Sequence, residues 1–217
     1  MSIPWRRAGR RRRVSASPRP SPPILSLVRR GLLGGTFDPP HIAHLVAGEA
    51  AFRALALDEV TFMPAGAPWQ KAGRDVSRPS DRWEMTRLAV EGVGYFRADD
   101  REVRRDGWTY TIDTLDEFAD DEVVLIMGAD AAAGLTTWHR ANEVMARAGV
   151  AVMPRQGGNR AAVEATGASI VWLDLPELAI SGTDLRARTR AGLSIRFLVP
   201  EPVLAYVVDH DLYVVES

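Results

Sequence analysis

Cysteine is missing from all 217 residues, so disulfides, thiolate metal sites and a cysteine nucleophile are excluded together. Lysine is nearly missing: of 27 basic residues only Lys71 is a lysine, and the rest are arginine. No apolar run approaches the roughly 20 residues that cross a bilayer, and residues 24–28 are too short a stretch for a signal-peptide core. Membrane insertion and export are therefore not expected, and a cytoplasmic protein is. Acidic residues are absent from the first 30 positions, which hold nine arginines. The remainder carries 18 basic against 28 acidic residues, close to −10. So acidic a body argues against a broad nucleic-acid-binding face.

Residues 1–30 combine the arginine run at 10–13 with a Pro/Ser-rich stretch at 15–23. That composition cannot bury enough apolar surface to order itself, and a disordered basic arm is expected. Val28 stands just before the first strand expected, where a GTG start codon would begin the chain, so residues 1–27 are expected to be upstream sequence or a dispensable tail. Residues 31–217 are long enough to bury one sizeable core.

Within that body short β-branched or apolar runs alternate with helical spacing. Strands are expected around Leu32 and Leu33, at 60–63, 123–127, 150–153 and 170–173. Helices are expected at 45–57, at 81–93 with Ser80 as cap, at 113–119 and at 142–148. Alternation without hairpin dipeptides predicts an α/β fold: a Rossmann-like open parallel sheet with helices on both faces, in a single domain with C-terminal helices. Ligands of such sheets bind beyond the carboxyl ends of the strands, so the loops after Leu33, Met63, Met127 and Met153 should share one crevice.

The segment GGTFDPPHIAH at 34–44 carries the most chemistry. Glycines at a strand end let a phosphate approach the backbone, and a helix starting near His41 aims free N–H groups and its positive dipole end at that phosphate. His41 and His44, three residues apart, fall on one face of the first turn and can both touch one phosphate chain. A zinc reading of H-x-x-H lacks a third ligand, and no resident metal is expected. This segment resembles the signature of the nucleotidylyltransferase superfamily, with Ala43 where that family usually has Gly. A second segment, ISGTDLR at 180–186, resembles the I-S-S-T-x-I-R motif of the nicotinate mononucleotide branch, with Gly182 in place of a Ser. Ser181 or Thr183 can cap the helix that follows, and Arg186 can meet the outer phosphates of ATP.

The resemblance extends over most of the body. The loop PAGAPWQK at 64–71 is similar to one that ends in a Lys near the triphosphate, here Lys71. WTYTIDTL at 108–115 is similar to S-Y-T-x-x-T-L, whose backbone near Thr111 would receive a pyridine carboxylate, with Trp108 taken as the replacement for Ser. The stretch from GAD at 128–130 to WHR at 138–140 is similar to a G-x-D to W motif. There Asp130 would accept from a ribose hydroxyl and Trp138 would stack on the pyridine ring.

What the resemblance implies is adenylyl transfer from ATP to nicotinate mononucleotide, with His41, His44, Lys71 and Arg186 as the catalytic residues. Gly34, Gly35, Thr36, Phe37, His41, His44, Ser181, Thr183 and Arg186 would bind ATP, and Thr111, Asp130 and Trp138 the mononucleotide. Mg²⁺ would accompany ATP. Two alternatives stay open: a relative whose acceptor is the amide mononucleotide or phosphopantetheine, and a nucleotide-binding regulator without turnover. Oligomeric state is open as well, a homo-oligomer included.

Overall fold

Six strands form the sheet: β1 (Arg29–Gly35), β2 (Glu59–Pro64), β3 (Phe96–Ala98), β4 (Glu122–Gly128), β5 (Ala148–Met153) and β6 (Ile170–Trp172). They appear in a computed structural model that describes residues 27–66, 76–154 and 157–214. All neighbouring strands run parallel, in the order β3-β2-β1-β4-β5-β6. The chain moves outward from β1 in one direction and returns to β1 to move outward in the other. That is the doubly wound arrangement expected from the alternating pattern.

Side chains along each strand alternate between two cores, as the period of two requires. Leu32, Leu125, Met127, Val150 and Val152 face one side, against Ile112, Leu115, Ala132 and Val144. Those partners come from α4 (Thr111–Glu117), α5 (Ala129–Ala133) and α6 (Ala141–Arg147). Leu33, Phe62, Ile126 and Ala151 face the other side, against Ala47 and Ala51 of α1 (Ile42–Ala54) and Val90 of α2 (Pro79–Val90). A third cluster joins Met85 and Ala89 of α2 to Leu185 of α8 (Gly182–Arg190) and to Val203 and Val207 of α9 (Glu201–Asp209). The C-terminal helices are thereby anchored on α2. Among the described residues no helix is long and apolar enough to cross a membrane.

Several boundaries differ from the expectation. The first strand starts at Arg29, so the arm assigned to residues 1–30 overlaps it by two residues. Arg29 N–H donates to the Asp58 carboxylate at 2.8 Å, and Arg30 pairs with Asp121 at 2.5 Å and with Glu59. Opposite charge on neighbouring strands thus orders residues that composition alone assigned to the arm. Residues 1–26 lie outside the described ones. Helix α2 begins at Pro79 rather than after a Ser80 cap: a proline in the first turn loses no hydrogen bond there, and Ser80 lies inside the helix. Helix α1 starts at Ile42, three residues earlier than its apolar spacing indicated, and Ala148 belongs to β5 rather than to a helix. The three-residue edge strand β3 and the short helices α3 (Arg101–Arg104), α5 and α7 (Arg160–Glu164) carry too few residues to show a period, and they were not expected.

Candidate active site

The order in which strands are added reverses between the parallel neighbours β1 and β4, and a cavity of about 210 Å³ opens there, beyond the carboxyl ends of the strands. Gly34, Gly35 and Thr36 line it together with Thr111 and Trp138. The turns after β1, β2 and β4 reach this cavity through Thr36, Ala65 and Ala131, whereas the turn after β5 does not line it. Three of the four loops expected to share the crevice therefore do so.

Beside the glycine turn, His41 caps α1, and its ring stacks on that of His44 at 3.7 Å between centroids. The backbone N–H of His41 donates to His44 Nδ1 at 3.1 Å, so a neutral His44 carries its proton on Nε2. Burial lowers the His41 pKa to about 4, which makes this imidazole neutral at physiological pH. Its Nδ1 is buried without a partner, and so is Nε of Arg186. Arg186, the fifth residue of α8, donates through Nη1 to the Asp38 carbonyl at 2.7 Å, which holds α8 against the loop that leads into α1. A Cβ on Gly182 would lie 2.7 Å from that same carbonyl oxygen, so the glycine permits the close approach of α8 to the motif loop. Ala43, in contrast, has ordinary helical backbone in α1, where no glycine is needed.

Other residues hold this arrangement, and sequence reasoning missed them. The Asp38 side chain is almost fully buried and accepts from Tyr213 Oη at 2.7 Å and from the Ser77 N–H at 3.2 Å. Arg82, buried in α2, donates to the carbonyls of Thr36, Ala65, Gly66 and Ser77 at 2.6 to 3.1 Å. One guanidinium thus fixes the turns after β1 and β2. The only sequence signal for Arg82 was its place on a helix among otherwise exposed arginines, which does not distinguish it.

The expected site residues take several positions. Phe37 does not face the cavity: at φ 51° its ring is buried against Gly35, Phe62 and His44, so it shapes the turn from behind. Ser181 caps α8, accepting from the Asp184 N–H at 3.1 Å and donating to the Asp184 carboxylate at 2.6 Å; Thr183 is exposed on the first turn. Asp130 is exposed on α5 and is not part of the cavity wall. Trp108 is half-exposed and outside the wall as well. Counting back from Tyr110, the residue in the Ser position is Thr109, which is buried, lines the cavity and leaves its hydroxyl without a partner. Lys71 lies outside the described residues. No group of three His, Asp or Glu side chains capable of holding a metal ion occurs among the described residues.

Comparison with known proteins agrees with this geometry. The cytidylyltransferase-like family model matches residues 32–188. A protein of Frankia alni named as a probable nicotinate-nucleotide adenylyltransferase is 42% identical over 186 residues, covering 83% of this chain and 98% of its own length. A protein of the same name from Salinibacter ruber is 41% identical over 188 residues, covering 84% and 96%. Another from Dehalococcoides mccartyi is 37% identical over 198 residues, covering 86% and 97%. Among solved structures, Plasmodium falciparum nicotinic acid mononucleotide adenylyltransferase complexed with NaAD has the same fold, with a TM-score of 0.73 at 14% identity over 86% of this chain and 97% of that one. A shared fold, the motif loop at the switch point and relatives matched over nearly their whole length lead to one assignment: the chain belongs to the cytidylyltransferase-like family, in its nicotinate-nucleotide adenylyltransferase branch.

Proposed function

We propose that the chain joins ATP and nicotinate mononucleotide to give nicotinate adenine dinucleotide and pyrophosphate. The observation that carries this reading is that the stacked His41–His44 pair and Arg186 both adjoin the motif loop after β1, whose glycine turn lines the cavity shared with Thr111 and Trp138. A phosphate chain fits the first group and a pyridine ring the second.

In the reaction a phosphate oxygen of the mononucleotide attacks the α-phosphorus of ATP in line. A new P–O bond forms, the bond to the β-phosphate oxygen breaks, and pyrophosphate leaves with its electron pair. The attacking oxygen is already ionised at neutral pH, so the protein need not supply a base. Its task is to position two polyanions and to neutralise the charge that builds up. His44 donates from Nε2 toward the α-phosphate, and His41 meets the adjacent phosphates as a neutral imidazole. Arg186 and Lys71 are assigned to the departing pyrophosphate, together with the N–H groups at the start of α8. Gly34, Gly35 and Thr36 let the nucleotide lie close to the backbone, Ser181 holds the turn at α8 where the exposed Thr183 is assigned to ATP, and Phe37 supports the loop. Trp138 stacks on the pyridine ring, the start of α4 at Thr111 receives its carboxylate, and Asp130, exposed on α5 outside the cavity wall, is assigned to accept from a ribose hydroxyl.

Mg²⁺ belongs with ATP as a substrate ion: Asp38, the carboxylate of the motif loop, is already engaged by Ser77 and Tyr213. Phosphate oxygens and water suffice as its ligands. The substrates place the work in the cytoplasm. Pyrophosphate release tests the reading: it requires ATP and nicotinate mononucleotide together. Nucleotide binding with no pyrophosphate formed would favour the regulator instead.

A further inference from the structure

We propose that Glu102 takes up a proton when a pyridine carboxylate enters the cavity, so that its carboxyl changes from an acceptor into a donor and helps select the acid mononucleotide. The inference rests on the reading above and deepens it. Glu102, in α3, lines the same cavity as Thr111 and Trp138. It accepts from Thr114 Oγ1 at 2.6 Å, so its carboxyl is tied to the helix whose first turn faces the substrate. Its backbone is fixed too: a Cβ on Gly66 would lie 2.1 Å from the Glu102 carbonyl oxygen, and Arg82 holds Gly66 in place.

The charged groups around Glu102 do not neutralise it. Arg105 attracts it, but the Arg105 guanidinium is paired with Glu117 of α4 and also reaches Thr114 Oγ1 at 3.3 Å. Asp99 and Glu117 repel it, and Arg101 is bound between those two carboxylates. Burial is the largest influence, and together these raise the Glu102 pKa to about 7, where Thr114 and Arg105 pull the other way. The group is thus poised between its two forms near neutral pH.

A second carboxylate brought into a chamber of about 210 Å³ disfavours an ionised Glu102 still further. The proton comes from solvent, and the neutral carboxyl can then donate to the incoming carboxylate. An amide makes no such demand: its NH₂ can donate to ionised Glu102. Acid binding is therefore coupled to proton uptake at one named side chain, and acid selectivity weakens as pH rises. The unpartnered hydroxyl of Thr109 in the same wall marks this end of the cavity as one built to meet a polar group.

The test is the pH profile of kcat/KM for nicotinate mononucleotide from pH 6.5 to 9, at saturating ATP and Mg²⁺, in the full-length protein. Dividing wild type by Glu102→Gln cancels the ionisations of the substrates. That ratio should fall about tenfold or more toward pH 9 as Glu102 ionises in the free enzyme. Thr114→Val, which removes the hydroxyl that favours the ionised form, should move the midpoint to higher pH while leaving Glu102 in place. Parallel profiles for wild type and Glu102→Gln would overturn the proposal, as would a midpoint that Thr114→Val leaves unmoved; this second variant decides the matter if Glu102→Gln does not fold. Absence of turnover with nicotinate mononucleotide at every pH would overturn the reading beneath it, which separates the two failures.

Discussion

His44 stacks on His41 and has its Nδ1 occupied by a backbone N–H, so the ring presents Nε2–H in a fixed direction. A donor held this way gains strength as charge develops on the α-phosphate and little before that, which puts its effect in kcat. His44→Ala should lose roughly 100-fold or more in kcat, as comparable electrostatic donors do, with a smaller change in KM for ATP. Steady-state kinetics with ATP varied checks this, and wild-type turnover would remove His44 from its assigned role. Both histidines were legible in the sequence because GGTFDPPHIAH keeps glycines, prolines and imidazoles within one short stretch. Asp38, Tyr213 and Glu102 were not legible as a support, because their partnerships are made across the fold. Tyr213 meets Asp38 from 175 residues away, and Glu102 reaches the cavity only because Gly66 lets its backbone approach so closely.

The elements that matter most to the site are two turns and two helix starts, and α2 joins the turns. Arg82 places a planar fork of donors among four backbone carbonyls, from Thr36 and Ser77 to Ala65 and Gly66. Lysine cannot copy that fork, and each buried carbonyl left without a donor costs about 1–3 kcal/mol. Arg82→Lys should therefore lower stability by about 3 kcal/mol, measured by urea unfolding, and also lower kcat/KM as the glycine turn loosens. Unchanged unfolding would mean that water or the lysine satisfies those groups. Longer strands and helices were readable from their periods, since the alternation of Leu32 with Leu33 and of Leu125 with Ile126 sorts directly into the two cores. Elements of three to five residues were not, because β3 and α3 are set by pairing with β2 and by the ion pairs of Arg101 rather than by a pattern of their own.

Across the whole molecule, the acidic body and the arginine-rich N-terminus meet at residues 28–30. Val28 accepts from the Glu122 N–H at 2.9 Å, Arg29 reaches the Leu55 carbonyl at 2.7 Å, and Arg30 pairs with Asp121 and Glu59. Removing residues 1–27 spares all of these, so stability and kcat/KM should stay within about 0.5 kcal/mol of the full chain. Removing residues 1–30 takes away the partners of four carboxylates, Asp58, Glu59, Asp121 and Glu122, and should cost about 2–4 kcal/mol, read from the same urea curves. Equal stability of the two deletions would contradict the placement of β1 at Arg29. The central claim, however, concerns the acceptor. Backbone N–H groups at the start of α4 suit a carboxylate and offer no acceptor to an amide's NH₂. The most direct measurement is kcat/KM at pH 7 for pyrophosphate release with ATP and, in parallel, nicotinate mononucleotide, nicotinamide mononucleotide and phosphopantetheine. The account expects the acid mononucleotide to exceed the amide by roughly 100-fold, with no release from phosphopantetheine; equal values for the two mononucleotides, or a preference for phosphopantetheine, would contradict it.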